Sequence, residues 1–99
     1  MIKMVRVVGA SMEPSYRSGD YVLVGAARWL FRIRTGDVVV YEHPRLGVLI
    51  KRVLAEDRQR REYTVAGTHA ESTDPDSLGP AAFSSVIGRV LLRIARPRS

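Results

Sequence analysis

The chain has 99 residues, 45% of them hydrophobic and 26% charged, with a net charge of +6; this is the profile of one globular domain over residues 1–99, neither disordered nor fibrous. It has no Cys, which excludes disulfides, thiolate catalysis and Cys-based metal sites, and its two His, His43 and His69, are too few for most zinc sites. No apolar run approaches the roughly 20 residues of a membrane span, and Met1–Val8 is too short and interrupted for a signal peptide, so the expected location is cytoplasmic.

Strand signals rich in β-branched or aromatic residues come in order at Val5–Val8, Tyr21–Val24, Val38–Tyr41, Val48–Leu54, Tyr63–Val65 and Val86–Ile94. Turn chemistry separates them at Ser18-Gly19-Asp20, Thr35-Gly36-Asp37, His43-Pro44, Glu56–Arg61 and the long Gly67–Pro80 stretch. The two Gly-Asp pairs each precede a Val-rich run and read as two copies of one turn type. Helix signals are few: one turn at Pro14–Ser18 and some helical character over Ala26–Arg34. Several runs are apolar on both faces, which requires a closed or heavily covered sheet. The expected fold is therefore mostly β, a compact barrel-like domain with little helix.

The basic excess suits an acidic partner, whether nucleic acid, anionic lipid or an acidic polypeptide. Fourteen of the 16 basic residues are Arg, and only Lys3 and Lys51 are Lys. The Arg58–Arg61 cluster reads as a solvated hairpin tip. Trp29-Leu30-Phe31, set among Arg28, Arg32 and Arg34, fits a helical turn packed on the barrel, a peripheral lipid contact or a wall of a substrate groove.

Chemistry concentrates at two places. In Gly9-Ala10-Ser11-Met12-Glu13-Pro14 a serine follows a β run and a permissive glycine and precedes a proline, which exposes it at a strand end. Serine beside glycine is also ordinary turn composition. A serine hydroxyl is a poor nucleophile without a base. His43, before Pro44 at a strand exit, and His69, in a polar stretch, both read as loop residues. The other solution is a lysine amine, desolvated so that it is neutral near pH 7. In Gly47-Val48-Leu49-Ile50-Lys51-Arg52-Val53-Leu54, strand alternation puts Leu49 and Val53 on the face of Lys51. Arg52 has equally apolar neighbours, but a guanidinium cannot give up its proton. A lysine at a sheet edge, with its amine reaching water, fits the same residues.

Together these pieces resemble the type I signal peptidase family, whose members use a Ser–Lys dyad. Ser11-Met12-Glu13-Pro14 is similar to its nucleophile box and Lys51-Arg52-Val53 to its base box. Gly19–Val24 and Gly36–Val40 look like its two Gly-Asp turns with their following strands. Ser72-Thr73-Asp74 with Gly79-Pro80 resembles a later Ser-x-Asp box, and Val86-Ile87-Gly88-Arg89-Val90 its closing strand. The resemblance implies a serine endopeptidase without metal or cofactor, in which Ser11 attacks and Lys51 takes the proton. It further implies that Ser72 orients Lys51, Asp74 supports the site, and the Ser11 backbone N–H holds the oxyanion. The position two before the nucleophile is Gly9, which has no hydroxyl to add a second donor. The family's Asp-Ser-Arg becomes Asp74-Pro75-Asp76, and its membrane helix and large β insertion have no counterpart.

The closest likeness is to the short nickel-type superoxide dismutase maturation proteases. It implies a protein precursor with a flexible N-terminal pro-segment as substrate, no nucleic-acid partner and membrane contact at most peripheral. Two alternatives are a LexA-type self-cleaving peptidase domain and a non-enzymatic basic β-barrel that binds nucleic acid. The first has only ten residues before Ser11 to cleave; the second expects aromatics interleaved with basic residues on one strand face.

Overall fold

The computed structural model describes residues 2–6, 19–26, 32–67 and 78–94. Seven strands follow in chain order: β1 (Ile2–Arg6), β2 (Tyr21–Gly25), β3 (Val38–His43), β4 (Gly47–Asp57), β5 (Glu62–Ala66), β6 (Ala81–Ala82) and β7 (Val86–Ile94), with a 3-10 turn at Phe83–Ser85 before the last. They form one antiparallel sheet in the order β1-β2-β7-β3-β4-β5-β6. The mostly β architecture read from the sequence is the architecture found.

β3 lies near the centre of this order, and its run of β-branched residues serves both faces. Val39 and Tyr41 point into one core with Ile33, Val53, Tyr63, Val65, Leu78 and Ala81. Val40 points into the other with Val22 and Val24, backed by Val5, Ile50, Ile87 and Val90. A strand buried on both faces has to be apolar at consecutive positions, which is why Val38–Tyr41 shows no alternation.

The two Gly-Asp turns are alike in backbone. Gly19 has φ +94° and Gly36 has φ +95°, a region that glycine enters at little cost. At the second turn the Asp37 N–H donates to the Arg34 carbonyl, and the Arg34 N–H donates back to the Asp37 carboxylate. Gly36 and Asp37 then extend the ladder to Val53 through two bonds of 2.8 Å.

The strand boundaries shift outward from those expected. β1 occupies Ile2–Arg6, and Val7 and Val8 lie outside the described residues. β4 continues through Glu56 and Asp57, which pair with Tyr63 and Glu62, so the turn narrows to residues 58–61. Those four residues are exposed, as a solvated tip requires. The expected turn at Pro14–Ser18 lies outside the described residues, as do residues 27–31 with Trp29, Leu30 and Phe31; residues 32–34 are not helical.

Candidate active site

Lys51 lies in the middle of β4, and hairpin pairing sets it opposite Val39. The turn over residues 44–46 fixes this register, and alternation does the rest: Leu49, Lys51 and Val53 share the face on which Val39 and Tyr41 are buried. Lys51 is 3% exposed. Among the described residues no carboxylate pairs with it. Burial alone therefore acts on the amine, and it pulls Lys51 below the usual lysine value. The amine is held in an apolar wall and not at a wet sheet edge.

Arg52 takes the other side of the strand. It is half-buried, and its guanidinium donates to the Gly36 carbonyl at 2.9 Å, so it ties the second Gly-Asp turn to β4. The two adjacent cations thus take opposite sides of the strand, Lys51 buried and Arg52 bonded to a turn.

On the sheet row of Lys51, Val39 of β3 pairs with Arg89 of β7, which pairs with Gly25 of β2. Arg89 is turned toward Asp37, with Nη1 4.0 Å from the carboxylate. Its Nε is buried without a partner among the described residues.

His43 is not a loop residue. It closes β3 and is 5% exposed. Its Nδ1 accepts from the N–H groups of Arg45 and Leu46 at 3.1 and 3.2 Å, so Nε2 carries the proton and donates to the Leu78 carbonyl at 2.8 Å. Both ring nitrogens are occupied in holding the β3–β4 turn against Leu78. The residue is a structural staple with no free nitrogen for proton transfer.

Ser11, Ser72, Asp74 and His69 lie outside the described residues. The β4–β5 ladder ends at the pair Arg52–Ala66, next to Lys51. The chain is described again from Leu78, which packs into the core on the Lys51 face. Among the described residues no three His, Asp or Glu side chains converge as a metal set.

Sequence reasoning missed Tyr41. It is 1% exposed on the Lys51 face, and its hydroxyl has no hydrogen-bond partner among the described residues. The signal was available in principle, since Tyr41 alternates with Val39, but it emerges only once the β3–β4 register is known.

A family model for signal peptidase, peptidase S26, matches residues 1–60. The chain belongs to the signal peptidase family. The match takes in both Ser11 and Lys51 and ends before Ser72 and Asp74. No curated protein matches the chain. Membership makes this a signal-peptidase-like serine peptidase, and the dry amine of β4 lies within the matched span. No helix among the described residues is long and apolar enough to cross a membrane.

Proposed function

We propose that this signal peptidase family member is a Ser–Lys endopeptidase that removes a short N-terminal segment from a protein precursor. The observation that carries the reading is Lys51, an amine 3% exposed on an apolar face with its charged form disfavoured. Desolvation moves a lysine toward acting as a general base, which a solvated, charged lysine does poorly.

The chemistry then runs in two halves. Lys51 Nζ takes the Ser11 hydroxyl proton as Oγ attacks the scissile carbonyl carbon. The oxyanion so formed is held by the Ser11 backbone N–H. Collapse breaks the C–N bond, and the proton on Lys51 passes to the departing amine. Water next attacks the acyl-enzyme, giving its proton to Lys51, and Ser11 is released with its hydroxyl restored. Ser72 keeps the amine turned toward Ser11, and Asp74 supports that arrangement. The substrate class the sequence likeness points to is the pro-segment of a nickel superoxide dismutase precursor.

The test is cleavage of such a precursor by wild type, Ser11→Ala and Lys51→Arg. Both variants should lose at least about a thousandfold in kcat, because the first removes the nucleophile and the second a releasable proton. Ser72→Ala should lose less, since it orients the base and does not react. Turnover retained in folded Ser11→Ala or Lys51→Arg would refute the dyad.

A further inference from the structure

Buried polar atoms in folded proteins are normally paired. Among the described residues two are not, the Arg89 Nε, which can only donate, and the Tyr41 hydroxyl, which can also accept. A phenylalanine at position 41 would fill nearly the same volume without the cost of a buried, unpaired hydroxyl. Lys51 has the converse need. On taking a proton its amine becomes an ammonium with three donors, on a residue that is 3% exposed and has no carboxylate partner among the described residues.

The register joins the two. Val39 lies opposite Lys51 and Tyr41 opposite Leu49, so Tyr41 and Lys51 are diagonal neighbours on one face. Diagonal cross-strand neighbours lie about 7–8 Å apart, within reach of aromatic and long side chains. We propose that the Tyr41 hydroxyl is a positioning group for Lys51, its oxygen accepting a hydrogen bond from the protonated amine. The hydroxyl stays unpaired while Lys51 is neutral and gains its partner when the proton arrives. The phenol suits an acceptor that must not ionise: burial pushes it up to about 12, so it keeps its own proton while Lys51 titrates.

Other groups on this face are accounted for. Among the described residues, His43 on β3 is bonded through both nitrogens, and Tyr63 on β5 stacks on Phe83 with ring centroids 4.6 Å apart. Arg89, one strand beyond β3, directs its charge toward Asp37. None of these takes the place of the Tyr41 oxygen.

The pairing rests on Lys51 as the proton acceptor, but it can be tested without turnover. The chain has two lysines, so protein labelled with 13C at the lysine ε carbon gives two signals, and Lys51→Arg assigns them. In Tyr41→Phe the midpoint of the Lys51 titration should fall by about one pH unit, because the ammonium loses an acceptor, while Lys3 stays put. In the wild type, the Tyr41 ring carbons should shift with the Lys51 midpoint; this second measurement needs no variant to fold. Equal Lys51 midpoints in wild type and Tyr41→Phe would overturn the pairing. So would Tyr41 ring signals that ignore the Lys51 step. A shifted midpoint in a protein that cleaves no precursor would keep the pairing and overturn the endopeptidase reading instead.

Discussion

A lysine that loses its water on folding makes stability depend on pH in a definite sense. The folded protein holds the Lys51 proton less tightly than the unfolded chain does, because the amine lies below its ordinary value of 10.5 when buried. The unfolded state therefore binds more protons over the window from the lowered folded value up to 10.5, and stability rises with pH through that window. Tyr41 acts oppositely. Its folded value is raised from 10.0 to about 12, so its contribution is fully present below pH 10 and is lost as pH rises toward 12. Urea denaturation of wild type, Lys51→Met and Tyr41→Phe at a series of pH values separates the two. Lys51→Met should be more stable than wild type at pH 7, with the advantage shrinking toward pH 10. Tyr41→Phe should lose less stability than wild type between pH 10 and 12. A constant difference between wild type and Lys51→Met across the series would contradict the desolvated amine. At this scale the sequence was informative about Lys51, because an arginine beside it cannot serve as a base and alternation put apolar residues on the face of the lysine. It was silent on Tyr41, whose relation to Lys51 depends on a hairpin register, and it misplaced His43 in a loop, because the residue's two bonding nitrogens depend on where Leu78 returns to the core.

Among the elements, β7 carries the tightest constraint. A Cβ built on Gly88 would run into the Gly25 carbonyl and the Val24 side chain, so β2 and β7 approach too closely there for any side chain. The obstruction is largely backbone, which cannot rotate away. Gly88→Ala should cost about 3 kcal/mol or more, by the logic of overpacking. Gly47 is a useful contrast. It has φ +79° with nothing near a new Cβ, so Gly47→Ala should cost only the left-handed penalty of about 1–2 kcal/mol. Thermal melts of the two variants check the ranking, and an equal loss would argue against the close approach of β2 and β7. The β-branched runs identified six of the seven strands, and β7 was legible to its ends. β6 was not, because Ala81–Ala82 carries no strand signal and is recruited only by pairing with Tyr63 and Glu62. The ends of β4 were equally hidden, since Ala55, Glu56 and Asp57 extend only because β5 folds back on them.

The whole sheet is covered unevenly. Along β3 both faces are buried, but on β1, β2 and the end of β7 one face stays open. Met4 pairs with Leu23, which pairs with Leu92, and Arg6 pairs with Tyr21, which pairs with Ile94, so these side chains form adjacent rows on one face. Met4 is 60% exposed and Leu92 57%, whereas Val40, on the buried side of the same sheet, is fully enclosed. Hydrophobic stabilisation follows the area removed from water and not the residue type. Met4→Ser and Leu92→Ser should therefore each change stability by less than about 0.5 kcal/mol. Val40→Ala removes two buried carbons and leaves a cavity, and should cost about 2 kcal/mol. Urea denaturation of the three variants at one pH measures the contrast. The sequence could not supply this ranking, because Met4, Leu92 and Val40 all sit in apolar runs of the same kind, and only the strand order separates the covered face from the open one. If Leu92→Ser cost as much as Val40→Ala, the face formed by β1, β2 and β7 would have to be covered in the folded protein.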